Sequence, residues 1–127
     1  MRILLVEPDR LLAETYKKAL HAAGHTVHIA PTAQAAIQAA DEHRPDFVLL
    51  ELQLVSHSGI EFLYEFRSYP EWQNIPVSII SNVPPGEFYE SWDILKDQLG
   101  VVAYRYKPRT SLAALRRLVE ESATIKV

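Results

Sequence analysis

Short, wholly apolar runs alternating with segments of helical periodicity leave this chain few folds to choose from. Ile3-Leu4-Leu5-Val6, set between Arg2 and Glu7, is too short for a helix. It is also too continuously apolar for a strand with one wet face, so it reads as a strand buried on both sides. From Asp9 to Ala23, Leu12, Tyr16, Ala19, Leu20 and Ala23 recur at helical spacing with Glu14, Lys17 and Lys18 between them, and Gly24 stands where the helix should stop. A second strand, Thr26 to Ala30, precedes a helix that Thr32 caps and that runs to about His43. The third strand, Phe47 to Leu52, is interrupted by one carboxylate, Glu51. Ser58 and Glu61 form a capping-box pattern that opens a helix through about Ser68. Pro76 to Ser81 is a fourth strand, and Pro84-Pro85-Gly86 punctuates the start of an acidic, aromatic helix through Leu99. Val101 to Tyr106 is a fifth strand, followed by a last helix capped by Thr110 or Ser111 and reaching about Ser122.

Strands that alternate with helices of this length require right-handed crossovers and a parallel sheet covered on both faces. The expected fold class is therefore doubly wound α/β, a five-stranded parallel sheet flanked by five helices, with residues 1–127 as one domain. With 48% hydrophobic and 23% charged residues among 127, the chain can bury a core without staples. The absence of cysteine rules out disulfides, thiolate metal sites and cysteine nucleophiles together. No apolar run approaches the roughly twenty residues that a bilayer span needs, and the N-terminal run meets acids too soon for a secretory leader. A cytoplasmic protein with no membrane contact is expected. A net charge of -3 gives no basic face for direct nucleic-acid binding.

In a doubly wound sheet, reacting groups gather beyond the carboxyl ends of the strands. Here those positions carry Glu7 to Asp9, Glu51 to Gln53, Ser81-Asn82 and Lys107. Two acids, a third acid, a hydroxyl and a lysine would thus meet at one rim.

ILLVEPD, DFVLLEL followed by Gly59, IPVSIIS and AYRYKP together resemble the receiver domain of response regulators, CheY-like with a flavodoxin-like fold, over essentially the whole chain. The resemblance implies two-component (phosphorelay) signalling: an aspartate ending the third strand takes a phosphoryl group from a histidine kinase with the help of magnesium. Magnesium wants near-octahedral oxygen ligands, while a lysine and a hydroxyl offset charge on the phosphoryl oxygens. Carried over by position, Lys107 matches the lysine, Ser81 the switch hydroxyl, Tyr104 the switch aromatic and Gln53 the carbonyl ligand of the metal. Glu7 matches the first acid of the metal pair.

Two positions depart from that pattern. Pro8 replaces the second metal acid, and Glu51 stands at the phosphoacceptor position, one methylene longer than aspartate. Since a displacement of about 1 Å can cost on the order of a hundredfold in rate, Glu51 is expected to be a poor acceptor. Metal binding through Glu7, Asp9 and Gln53 is expected to be weak or absent, so no cofactor is assigned, with weakly bound Mg²⁺ as the alternative. A longer carboxylate reaching Lys107 and Ser81 would imitate part of the charge of a phosphoaspartate. In the family that arrangement draws the hydroxyl residue and the aromatic inward.

Phe88, Tyr89, Trp92, Ile94 and Leu95 crowd the fourth helix beyond what one packed face needs. The resemblance implies a protein partner or a homodimer through the fourth helix, fifth strand and fifth helix, with Trp92 and Tyr104 on that surface, and a histidine kinase as a further partner. His21 and His25 sit at helical spacing, but Gly24 and the lack of further ligands favour surface histidines over a metal site. No enzyme is expected, for the four glycines form no phosphate loop, dinucleotide turn or nucleophile elbow. The remaining alternatives are a conventional magnesium-dependent phosphorylated receiver and a flavodoxin-like small-molecule binder. The latter is disfavoured because Glu7-Pro8-Asp9 would repel a phosphate.

Overall fold

A computed structural model describes residues 1–125. Strands β1 (Arg2–Val6), β2 (Thr26–Ala30), β3 (Phe47–Leu50), β4 (Val77–Ser81) and β5 (Val101–Tyr106) form one parallel sheet in the order β2-β1-β3-β4-β5. Helices α1 (Arg10–Ala22), α2 (Ala33–Glu42), α3 (Gly59–Ser68) and α4 (Leu112–Ile125) cover it, with a fifth, irregular helical segment between β4 and β5. The expected doubly wound sheet is what the chain forms.

The apolar runs end up where their composition demands. Alternate residues of each strand feed two cores. Leu4, Val6, Val48, Leu50, Val77 and Ile79 pack under α2, α3 and the irregular segment. Ile3, Leu5, Phe47, Leu49 and Ile80 pack under α1 and α4. Each fully buried side chain of this size contributes roughly 1.5–3 kcal/mol, and Phe47, Phe62 and Phe66 are among the largest. Ser78, wholly buried in β4, is the exception in kind, for its hydroxyl has no hydrogen-bond partner among the described residues.

Each α-helix start has a side-chain cap, and those of Thr32, Ser58 and Ser111 were expected from the chain. Asp9 accepts from the Leu12 amide, Thr32 from Ala35, Ser58 from Glu61 and Ser111 from Ala114. The Glu61 side chain, expected to complete a capping box, pairs with His57 at 3.2 Å instead. Gly24, at φ +95°, ends α1. The last helix runs past Ser122 to Ile125, and β3 pairs only to Leu50, so Glu51 lies just beyond the strand.

The fourth crossover departs most from expectation. Instead of one regular helix through Leu99, residues Pro85–Phe88 make a 3₁₀ turn and Ile94–Gln98 a π-helical turn. The two prolines deny amide donors at the start, and Glu87 bonds back only to Pro84. At the far end the Leu99 amide reaches Ile94, five residues back, which widens the helix. Leu95 and Leu99 are thereby buried, while Tyr89 and Ile94 stay exposed. Arg67 fixes that end: its guanidinium donates to the carbonyls of Trp72, Ile75, Leu99 and Gly100.

Candidate functional site: the carboxyl rim and the aromatic groove

Sheet register brings the acids together. The Glu7 amide donates to Ala30 and the Glu51 amide to Val6, so both residues prolong the strand ladders past β1 and β3. They lie at the point where strand order reverses, the usual place for a site in this architecture. Behind Glu51, α3 begins almost in contact with the backbone. A Cβ on Gly59 would sit 2.7 Å from Leu52 Cα and 2.8 Å from the Glu51 carbonyl oxygen. Glycine at this position lets the helix approach so closely.

Glu51 is 3% exposed and Glu7 2%. The Lys107 ammonium, on a side chain 9% exposed, donates to Glu51 Oε1 and Glu7 Oε1, each at 2.6 Å. Glu51 Oε2 accepts from the Leu52 amide at 2.6 Å, the Gln53 amide at 3.1 Å and the Ser81 hydroxyl. Glu7 Oε2 accepts from the Asp9 amide at 3.0 Å. Burial acts to raise the Glu51 pKa, but hydrogen bonds from Lys107, Ser81 and the Gln53 amide outweigh it and hold the group below its ordinary value. For Lys107, burial acts to lower the pKa, and the bonds to Glu51 and Glu7 more than reverse it.

The rim connects to the β5 side through short bonds. Ser81 Oγ also accepts from the Val83 amide at 3.1 Å, and the Val83 carbonyl accepts from the Tyr104 hydroxyl at 2.6 Å. Tyr104 is thus turned toward the β4 end, its ring 5.9 Å from that of Phe88. Burial pushes its phenol up to about 12. Beside Tyr104 opens a groove of about 630 Å³, walled by Phe88, Tyr89 and Trp92 of the irregular segment, Val102 of β5 and Leu118 of α4. Trp92 and Tyr104, singled out in the sequence, both line it.

Of the metal-ligand candidates, Glu7 alone places a carboxylate beside Glu51. Pro8 offers no carboxylate, the exposed Asp9 carboxylate is committed to capping α1, and Gln53 lies on the exposed loop after Glu51. No group of three or more His, Cys, Asp or Glu among the described residues is arranged to hold a metal. Where an ion would need to touch both remaining acids, the Lys107 ammonium already does. The donor set as it stands does not fit magnesium. The bridge from Lys107 to Glu7 was not anticipated from sequence. A hundred residues separate the two, and only the adjacency of the strand ends joins them.

A family model described as the response regulator receiver domain matches residues 3–87, from β1 into the irregular segment. The chain belongs to the response regulator receiver family. Among curated relatives, the KDP operon transcriptional regulatory protein KdpE of Escherichia coli is 32% identical over 79 residues, which is 62% of this receiver and 34% of KdpE. The polar-differentiation response regulator DivK of Brucella anthropi is 28% identical over 79 residues, 62% of this receiver and 64% of DivK. The matched stretch is thus about a third of KdpE and under two thirds of DivK. Among solved structures, the chemotaxis protein CheY4 of Vibrio cholerae superposes with a TM-score of 0.84, covering 95% of this receiver and 97% of CheY4. At 17% identity that likeness is one of fold. Among the described residues, no helix is long and apolar enough to cross a membrane.

Proposed function

We propose that this receiver acts in two-component signalling as a phosphorylation-independent protein–protein interaction module of the cytoplasm. It is not an enzyme and needs no metal. The observation that carries this reading is the Glu51 carboxylate, whose two oxygens already receive four hydrogen bonds from Lys107, Ser81 and two backbone amides. A nucleophile in phosphoryl transfer needs a free lone pair in line with the donor, and positioning dominates the rate. Glu51 instead sits where its charge satisfies the lysine and the hydroxyl that would otherwise receive a phosphoryl group. The bonds from Ser81 to Glu51 and from Tyr104 to the Val83 carbonyl support an inward arrangement of the kind the family uses as its readout.

The partner surface is the aromatic groove between the irregular segment, β5 and α4. Its exposed Tyr89 and half-buried Phe88, Trp92 and Tyr104 rings suit the apolar anchors that dominate protein interfaces. The partner is a second copy or another protein, and a histidine kinase docking elsewhere on the domain is compatible with it. Sedimentation equilibrium tests both parts together. Association is expected to be unchanged by acetyl phosphate with magnesium and to weaken about tenfold in Trp92→Ala. Association that appears only with the phosphodonor would overturn the reading.

A further inference from the structure

A second groove shares no residue with the rim or with the aromatic groove. It runs between α2 and α3, encloses about 730 Å³, and has an apolar floor of Ala33 and Ile37 from α2, Phe62 from α3, and Trp72. Trp72 is fixed by stacking on Phe66 at 5.1 Å, and Tyr69, tilted against Trp72 at 4.6 Å, adds an exposed aromatic face.

The charge along this floor is of one sign. Asp41 on α2 and Glu61 and Glu65 on α3 are exposed carboxylates that line the groove, and no lysine or arginine does. Glu61 pairs with His57 at 3.2 Å. The carboxylates of Asp41 and Glu65 enter no hydrogen bond or ion pair among the described residues. Between residues 33 and 72 the only lysine or arginine side chains are Arg44 and Arg67, and both bond backbone carbonyls instead. Glu61 and Glu65 stand one turn apart on α3, a spacing at which like charges repel.

Charge and shape together select the occupant. A cation brought between the two helices relieves the repulsion, but a free amine would leave the apolar floor in contact with water. The lining from Gln34 to Asp41 covers two turns of α2, roughly 10 Å, which is the reach of a short peptide segment. A segment with lysine or arginine one turn apart and apolar side chains beside them answers both the charge and the floor.

We infer that the groove between α2 and α3 docks a basic amphipathic segment of a protein partner. Its cations meet Asp41, Glu61 and Glu65, and its apolar side chains cover Ile37 and Tyr69. The surface is independent of Glu51 and of association through the aromatic groove.

The test is fluorescence anisotropy of a fluorescein-labelled peptide of about twelve residues, with lysine at every fourth position among leucine and alanine, titrated with the full chain. Saturable binding is expected, weaker by about tenfold when salt rises from about 50 to about 300 mM. Asp41→Asn/Glu65→Gln should weaken it about tenfold, whereas Glu90→Gln/Asp97→Asn, which removes the same charge from exposed positions elsewhere, should change it by less than about twofold. All four replaced side chains are exposed, so the fold is expected to survive. Trp92→Ala should bind the peptide as the wild type does. Equal losses in the two double variants would mean that net charge alone attracts the peptide, and a loss in Trp92→Ala would place it in the aromatic groove. Either result would overturn the inference, as would the absence of saturable binding. Displacement by spermidine as effective as by unlabelled peptide would overturn it too, since the groove would then take a free amine.

Discussion

The carboxyl rim and the aromatic groove are linked through Ser81, Val83 and Tyr104 yet are built on opposite terms. At the rim, Glu7, Glu51 and the Lys107 side chain are at most 9% exposed, and their hydrogen bonds are to one another, to Ser81 and to backbone amides. Along the groove, Tyr89 is 78% exposed and Val102 44%, and the wall that carries Tyr89 is a broken helix. Buried charges must be paired or they cost several kcal/mol, so the rim has one arrangement that satisfies it. The groove has no such constraint and is free to meet a partner. On the proposed function, a filled rim beside an open surface suits a binding module. A phosphorylated switch needs a rim with room for the incoming group.

The comparison breaks most severely at Lys107. Lys107→Ala leaves two buried carboxylates facing each other without a cation, and a loss of about 3–5 kcal/mol is expected in urea unfolding. A loss below about 1 kcal/mol would mean that water reaches the rim and that it is not closed.

The pH dependence is a gentler probe of the same ion pairs. Glu51 has a folded pKa below its ordinary 4.5, so its contribution is fully present above that value and is lost as pH falls through the depressed folded value. Lys107 has a folded pKa above 10.5, so its contribution is full below that value and is lost as pH rises through the raised one. The wild-type urea midpoint should therefore fall as pH drops through the depressed Glu51 value and again as pH rises through the raised Lys107 value.

At the groove the effects on stability should be small. Tyr89→Ser is expected to shift stability by no more than about 0.5 kcal/mol, as for an exposed residue, while weakening association. A substantial loss of stability would place Tyr89 in the packing of the domain.

How much of this was legible in the sequence depended on range. The strands and the caps Thr32, Ser58 and Ser111 were readable because periodicity and capping are local, as was Gly24. The fourth crossover was not, because its aromatic and acidic residues fit a helix pattern while Pro84, Pro85 and the pull of Leu95 and Leu99 into the core break the bonding in two places. Of the rim, the meeting of Glu51, Ser81 and Lys107 followed from the rule that strand ends converge. The capture of Glu7 by the same lysine did not, because it depends on how far that side chain reaches from the end of β5, past β4 and β3, toward β1. Asp9 was read only as a metal-ligand candidate, and its use as a cap, bonding the Leu12 amide, was missed. The family model ends at residue 87, so Trp92, Tyr104 and Lys107 lie past the stretch it matches.

The central claim is that the rim has exchanged phosphoryl chemistry for an internal ion pair, and intact mass tests it most directly. Wild type and the double variant Pro8→Asp/Glu51→Asp would each be incubated with acetyl phosphate and magnesium. The account predicts no phosphoryl adduct on the wild type and an adduct on the variant, whose acids are returned to the family pattern. A stoichiometric adduct on the wild type, lost in Glu51→Gln, would contradict it.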